Sequence, residues 1–228
     1  MDAIFHQLKI PINEKLFLKD PSTSVIGQKI LNESILFINE VGFEKFTFKK
    51  LALTIETTEA TIYRYFESKH KLLLYLINWY WSCIATRLLF ETSNISDPLL
   101  KLQKAIHILT TIPNPQKENI LMNELLLKKL VINEASKVIQ TKDVDSENKN
   151  GVFALYKNVV ENVASIIIEI APSYKFPNML VTSMIEGSNQ QHFFAEHLPK
   201  LTNSEVEKDF VELFYQELIF KTIQHDNV

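Results

Sequence analysis

The spacing of apolar residues predicts a first helix between residues 25 and 42. Ile30, Phe37 and Ile38 recur at intervals that place them on one helical face. The hydroxyl side chains of residues 22–24 are suited to cap its start, because they can accept hydrogen bonds from the first free backbone amides. Gly42 is expected to end this helix, since glycine readily adopts the left-handed conformation that follows many helices.

A pair of short helices follows, and each has a threonine at its expected N-cap. Thr47 precedes a segment whose apolar residues lie on one side, and Thr58 precedes a second segment at residues 59–66. The turn between them has three or four residues, which is the spacing of a helix-turn-helix. Ser68 is then placed to cap a long helix over residues 69–92.

The remaining sequence also predicts only helices, which are separated by prolines and by one polar stretch. Asp97 with Pro98 is suited to begin the next helix, and Ser204 with Glu207 has the spacing of a capping box. The later helices are predicted at residues 97–112, 116–142, 147–171, 177–197 and 204–224.

These elements predict an all-α fold in which a small domain precedes a larger one. Residues 22–74 are expected to form a three-helix, homeodomain-like helix-turn-helix domain, and residues 75–228 a helical domain. Residues 1–21 contain two prolines and show mixed periodicity. They are expected to form an amino-terminal arm, either extended or packed as a short extension.

Composition agrees with a folded helical chain and limits its function classes. Hydrophobic residues make up 46% and charged residues 22%, and only four glycines occur. The net charge of −3 does not suggest nucleic-acid binding. Residues 1–74, however, carry 10 basic and 9 acidic residues, whereas residues 75–228 carry 14 and 18, so the amino-terminal part is the more positive one, as is expected of a DNA-binding domain. The single cysteine excludes an intrachain disulfide, and neither a signal peptide nor an uninterrupted apolar span is present. We expect a cytoplasmic protein without a membrane partner.

The stretch from residue 47 to residue 69 carries a specific pattern. A known family has Thr, then Ile-Ala, then Ala-Gly-Val-Ser, and then a helix that ends in Leu-Tyr-x-Tyr-Phe-x-x-Lys. The corresponding places here are filled by Thr47, Leu51-Ala52, Thr58, Ile62-Tyr63, Tyr65-Phe66 and Lys69, and upstream by Ile30-Leu31, Ser34, Phe37-Ile38 and Gly42-Phe43. Over residues 26–74 the chain resembles the tetracycline-repressor (TetR) family of bacterial transcriptional regulators.

The resemblance implies a dimeric regulator, more often a repressor, that binds a palindromic DNA operator and is released by a small molecule. Two operator half-sites that lie one turn of DNA apart require two recognition helices, one from each subunit. The family's last two long helices pair with those of a second subunit, which here implies a homodimer through residues 177–197 and 204–224. Alternatively, these helices complete a monomeric core.

One departure from the family lies in the turn. Glu56 stands where the family has glycine, and Thr57 stands where it has valine. A glutamate in a left-handed turn carries a steric cost, so the turn is expected to differ slightly in shape.

Helical geometry divides the predicted recognition helix into two sides. Ile62 and Phe66 are four residues apart and are expected to face the core, which leaves the other side for the major groove. Arg64 is suited to pair with a guanine edge, and Thr61 or Ala60 to touch a thymine methyl group. The candidate DNA-binding residues are Thr47, Lys49, Thr58, Glu59, Ala60, Thr61, Tyr63, Arg64, Tyr65 and Lys69.

Several of these residues have a second interpretation. Thr47, Thr58, Tyr65 and Lys69 match positions that touch the DNA backbone in the family, and such contacts fix position rather than sequence. Tyr63 and Tyr65 also suit ordinary packing. Arg64, Lys49 and Lys50 also suit a solvated surface.

A ligand pocket is expected between the helices of the larger domain, with no cofactor and no metal. Residues 75–228 are rich in Leu, Ile, Phe and Trp, and this composition favours an apolar or amphipathic effector, whose identity is unknown. Each candidate wall residue also suits the core or the surface. The candidates are Trp79, Cys83, His107, Met122, Tyr156, Glu186 and Asn189.

The sequence contains few features that would indicate an enzyme. His192 and His197 are five residues apart and so do not stack on one helical face as paired metal ligands do. No nucleophile elbow, paired-cysteine motif or dinucleotide loop occurs, so no catalytic residues are expected. The alternative is a helical small-molecule-binding protein, or an all-α enzyme, that no longer reads DNA.

Overall fold

The computed structural model describes residues 11–113, 122–205 and 208–224, without the side chains of residues 122 and 123. Within these ranges the chain forms helices and no strands, which confirms the predicted all-α class. The α-helices are α1 Val25–Val41, α2 Phe48–Thr54, α3 Glu59–Tyr63, α4 Lys69–Thr92, α5 Pro98–Thr110, α6 Met122–Glu134, α7 Ser136–Ile139, α8 Val144–Lys149, α9 Ala154–Ile170, α10 Pro177–His197 and α11 Val211–Gln224.

Side-chain caps set the helix starts where the sequence predicts them. The Ser24 hydroxyl accepts a hydrogen bond from the Gly27 amide and begins α1. Thr47 and Thr58 cap α2 and α3 in the same way, each through the amide three residues ahead. Gly42 ends α1 with a φ of 79°, the left-handed conformation expected of it.

The last helix begins later than predicted. The predicted capping box at Ser204 is wrong, because residues 204 and 205 are not helical; its partner, Glu207, lies outside the described residues. The Ser204 hydroxyl instead accepts from the Phe210 amide and donates to Asp209. The Asp209 carboxylate accepts from the Val211 amide at 2.8 Å, so an aspartate five residues downstream caps α11.

Internal contacts divide the chain into two compact units, and the division differs from the predicted domains. The amino-terminal unit comprises Ile10–Ser82 together with Pro113–Ala154. The carboxy-terminal unit includes Cys83–Ile112 and Leu155–Val228. Helices α6 to α8, which the sequence assigned to the larger domain, therefore pack with the helix-turn-helix.

Polar contacts hold α6 to α8 against the amino-terminal helices. The buried carboxylate of Glu134 accepts a hydrogen bond from the Phe43 amide at 3.0 Å. The Glu147 carboxylate, also buried, lies 2.9 Å from His70 Nε2 and 3.2 Å from Lys71 Nζ. Each contact joins residues more than seventy positions apart, and such pairs are not visible in local sequence patterns.

Residues 11–24 form a packed extension of the amino-terminal unit. Leu16 is buried, and the Phe17 ring lies 5.9 Å from the Tyr75 ring in an edge-to-face arrangement. The Leu18 amide donates to the Tyr65 carbonyl at 2.8 Å. Of the two forms expected for the amino-terminal arm, extended or packed, residues 11–24 adopt the packed one. Residues 1–10 lie outside the described range.

The carboxy-terminal unit brings α10 and α11 into close contact at a glycine. A Cβ atom at Gly187 would overlap the hydroxyl oxygen of Tyr215 and lie 3.1 Å from its Cζ. Tyr215 is buried, and burial raises the pKa of its hydroxyl. Gly187 therefore sets the approach of these two helices.

We expect Gly187→Ala to destabilise the protein by roughly 1–3 kcal/mol, because the added methyl forces a buried ring to move. Tyr215→Phe removes the overlapping oxygen and should recover part of the loss when combined with Gly187→Ala. Urea unfolding of the two single variants and the double variant measures the coupling. Additive effects of the two substitutions would contradict this packing.

Among the described residues, α4 is long and apolar enough to cross a membrane by length and composition alone. Most of its apolar window is buried inside the protein, as in the core helix of a folded protein.

Candidate nucleic-acid interface

Helices α2 and α3 form the predicted helix-turn-helix, and their turn is closed by a regular helix-ending motif. The Thr57 amide donates to the Ala52 carbonyl at 2.9 Å, and the Glu56 amide donates to the Leu53 carbonyl at 3.3 Å. This pair of bonds is the Schellman arrangement, whose central residue is left-handed. Glu56 occupies that position with a φ of 56°, the left-handed conformation in which a glutamate carries the expected steric cost. The helix-turn-helix therefore carries a strained glutamate where glycine is favoured.

We expect Glu56→Gly to stabilise the protein by roughly 0.5–1 kcal/mol, because glycine adopts a positive φ without steric cost. Glu59→Gly is the matched control, since it makes the same change at an exposed position in α3. The control should lose about 0.5–1 kcal/mol through the poor helix propensity of glycine. Thermal unfolding compares the two, and effects of the same sign would contradict the strain at residue 56.

Helix α3 presents a polar side to solvent. Ile62 and Phe66 are fully buried, as predicted, whereas Glu59, Ala60 and Arg64 are exposed. The helix is shorter than the predicted segment 58–66, because its α-helical part ends at Tyr63 and Arg64 is its C-cap. The exposed side nevertheless contains a carboxylate, a methyl group and a guanidinium within six residues, all of which suit contacts with base edges.

Tyr63 and Thr61 complete this side. Tyr63 is 48% exposed, and its ring packs edge-to-face on the Phe48 ring with 5.0 Å between centroids. One edge of Tyr63 is thus fixed by packing while the rest remains accessible. The Thr61 hydroxyl lies 3.0 Å from the hydroxyl of the N-cap residue Thr58, so both hydroxyl groups are at the amino-terminal end of α3.

Tyr65 combines a structural role with a place at the end of α3. Its side chain is 3% exposed, and its hydroxyl lies 2.8 Å from the Ser24 hydroxyl at the start of α1. The hydrogen bond with Ser24 lowers the pKa of Tyr65 against the opposing effect of burial, and the charges of Lys19 and Arg64 lower it further. The burial of the Tyr65 ring thus agrees with the second interpretation of this residue, which is ordinary packing.

The half-buried Lys69 is engaged by backbone carbonyls. Its ammonium group donates to the carbonyl oxygens of Phe43, Glu44 and Phe46 at 3.1, 3.3 and 3.3 Å. It also lies 4.6 Å from the centre of the Phe43 ring. An ammonium group has three N–H donors, so these carbonyls use its full capacity and fix the loop that leads into Thr47. Lys49, by contrast, is exposed on α2.

The candidate ligand-binding residues lie on several helices. Trp79 belongs to the amino-terminal unit, whereas the other described candidates belong to the carboxy-terminal unit, and the side chain of Met122 lies outside the described residues. Tyr156 donates to the Glu186 carboxylate at 2.7 Å. The remaining candidates are half-buried or buried: Cys83, His107 and Asn189.

His107 lines an open cleft on the carboxy-terminal unit, and this cleft has a volume of about 390 Å³. Its Nδ1 lies 3.0 Å from the Glu212 carboxylate. Leu100 and Lys104 also line the cleft, so it combines apolar and charged groups.

The sequence reasoning did not select Lys19 or Ser24, which lie against Tyr65. Both precede the matched family pattern, and Lys19 lies in the segment predicted as an arm. Only a contact across more than forty residues links them to the recognition helix.

Comparison with known proteins shows which family this helix-turn-helix resembles. Residues 30–76 match the family model described as bacterial regulatory proteins of the tetR family. Residues 30–76 are therefore similar to the helix-turn-helix region of TetR-family regulators. The match covers about a fifth of the chain and ends within α4. No curated protein matches the sequence significantly.

Several solved structures resemble this chain in fold along most of its length. The chain is 14% identical to a ketosteroid transcriptional regulator of Mycobacterium tuberculosis, with a TM-score of 0.56 over 88% of this chain and 95% of the other. AibR in complex with isovaleryl coenzyme A and operator DNA is also 14% identical, with a TM-score of 0.55 over 84% and 95%. The superantigen PfiT is 13% identical, with a TM-score of 0.56 over 89% and 97%. At these identities the likeness concerns the fold alone.

Proposed function

We propose that the protein is a ligand-responsive transcriptional regulator, in the repressor mode of its family, which binds a palindromic operator as a dimer. One observation carries the proposal: α3 follows a helix-turn-helix turn and keeps Glu59, Ala60 and Arg64 exposed while Ile62 anchors it in the core. A helix held in this way can enter the major groove without unfolding any part of the domain.

Backbone contacts are assigned to the exposed groups around α3. The hydroxyls of Thr47 and Thr58 stand at the starts of two helices, and Lys49 lies in the first turn of α2. Helix starts and lysine ammonium groups favour phosphate, and contacts of this kind set the register of the protein on DNA.

Dimerisation is proposed through α10 and α11, as the family resemblance implies. Met179 on α10 and Leu213 on α11 are 66% and 62% exposed, and Phe214 is 53% exposed. Large apolar side chains exposed together on long helices are typical of a surface that pairs with another protein. Phe214 and Leu218 lie four residues apart and share one side of α11.

The proposed effector is a small apolar or amphipathic molecule that binds in the cytoplasm. The buried residues of the carboxy-terminal unit are mainly aliphatic, which favours such ligands. AibR, whose fold is similar, was solved with isovaleryl coenzyme A. Thermal-shift screening with lipophilic compounds and with polar anions tests the class, and stabilisation by the polar set alone would contradict it.

We also consider a second function, because PfiT has a similar fold but is described as a superantigen rather than as a regulator. Fold alone does not decide function. The alternative is a helical small-molecule-binding protein, or an all-α enzyme, whose helix-turn-helix does not read DNA.

Selection from a pool of random DNA duplexes, followed by fluorescence anisotropy on a selected and an unselected duplex, separates the two. The proposal predicts a preference of at least about 10³-fold for the selected duplex, as in specific DNA-binding proteins. Affinity should also fall steeply as salt rises, because phosphate contacts release counterions. Failure of the selection to enrich any sequence would favour the alternative.

A further inference from the structure

The packed extension before α1 brings a lysine to the end of the recognition helix. The Leu18 amide is bonded to the Tyr65 carbonyl at 2.8 Å, which fixes the backbone beside Lys19. The Lys19 ammonium nitrogen lies 5.2 Å from the centre of the Tyr65 ring. Tyr65 immediately follows Arg64, the C-cap of α3. A cation from outside the helix-turn-helix is therefore held next to its DNA-facing end.

Lys19 interacts with Tyr65, but its positive charge is not neutralised by a carboxylate within the described residues. The side chain is exposed, and no carboxylate among the described residues forms an ion pair with it. The nearest acidic residue in sequence, Asp20, uses its carboxylate to accept from the Ser22 amide at 2.8 Å. The ammonium nitrogen lies over the Tyr65 ring while the side chain remains exposed, so this contact positions the charge without burying it.

Lys19 also differs from the lysine that sequence reasoning assigned to phosphate. Three backbone carbonyls surround the ammonium of Lys69, so that charge is engaged within the protein. Lys19 and Arg64 are both exposed. Lys19 lies over the ring of Tyr65, the residue that follows the C-cap Arg64, so both cations belong to the same end of α3. With Arg64 assigned to a base edge, a cation at this end of the helix is suited to a phosphate that borders the groove.

We propose that Lys19 binds a DNA backbone phosphate at the edge of the major groove, beside the bases contacted from α3. This inference rests on the proposed function. The bound group is a phosphodiester oxygen, and the contact is electrostatic and independent of sequence. The packed extension thus belongs to the DNA interface as well as to the fold.

The test compares Lys19→Gln with Lys175→Gln, an exposed lysine of the carboxy-terminal unit. Dissociation constants are measured for the selected and the unselected duplex at several salt concentrations. Lys19→Gln should weaken binding to both duplexes by a similar factor and reduce the slope of log affinity against log salt by about 0.9 for each lysine removed. Lys175→Gln should leave the slope at the wild-type value.

Two further measurements separate a phosphate contact from a packing role. Lys19→Arg should retain the wild-type slope, because it keeps the positive charge, and the melting temperature of Lys19→Gln should match that of Lys175→Gln. An unchanged slope in Lys19→Gln would overturn the inference while leaving the proposed function intact. A wild-type protein that binds neither duplex would overturn both.

Discussion

Replacing Arg64 with alanine is expected to weaken binding to the selected operator by roughly 5- to 150-fold for each half-site and to relax its preference at one base pair in each half-site. Arg64 is exposed at the end of α3, where a guanidinium can donate two parallel hydrogen bonds to guanine O6 and N7. Loss of such a pair costs about 1–3 kcal/mol of discrimination. Competition against operators substituted at each position measures the change.

Lys49→Ala is the control for Arg64→Ala, because Lys49 is an exposed cation on the preceding helix. It should weaken binding to all operators alike without altering the preferred base. If Arg64→Ala also lowered every affinity by one common factor, Arg64 would be a backbone contact and its assignment to a base would be wrong.

The second large effect is expected at Gly27, in the first turn of α1. A Cβ atom there would overlap the Pro21 carbonyl oxygen and lie 2.7 Å from its Cα and 2.8 Å from its carbonyl carbon. These are backbone atoms of a buried turn, so no side chain can move aside. We expect Gly27→Ala to destabilise the protein by about 1–3 kcal/mol in net terms, although alanine is the better helix former.

Thermal unfolding measures this effect as a fall of roughly 2–4 °C in melting temperature for each kcal/mol. Glu40→Ala is a suitable control, because Glu40 is exposed on the same helix, and it should change stability by less than about 0.5 kcal/mol. A melting temperature that rises in Gly27→Ala would show that the turn at Pro21 does not pack against α1 in this way.

The local features of the fold could be predicted from the sequence because each depends on neighbouring residues. Ser24, Thr47 and Thr58 cap helices that begin within one residue of the caps. The burial of Ile62 follows from helical periodicity, and the positive φ of Glu56 follows from the glycine that the family has at this place.

Features that depend on distant partners could not be predicted. The engagement of Lys69 requires the position of the Phe43 carbonyl, and the burial of Tyr65 requires Ser24. Helices α6 and α8 carry no local mark of their association with the amino-terminal helices, which involves contacts between distant residues such as Asn39 with the Leu126 carbonyl and Glu147 with His70. The contact between two candidate ligand residues, Tyr156 and Glu186, also joins positions thirty residues apart and depends on the tertiary fold.

Methylation of guanine N7 by dimethyl sulfate tests most directly whether α3 lies in the major groove, because N7 is exposed only there. The account predicts that saturating wild-type protein protects guanines in two clusters about one helical turn apart, and that Arg64→Ala loses protection at one guanine in each cluster. Unprotected guanines on a duplex that the protein demonstrably occupies would contradict recognition through this helix.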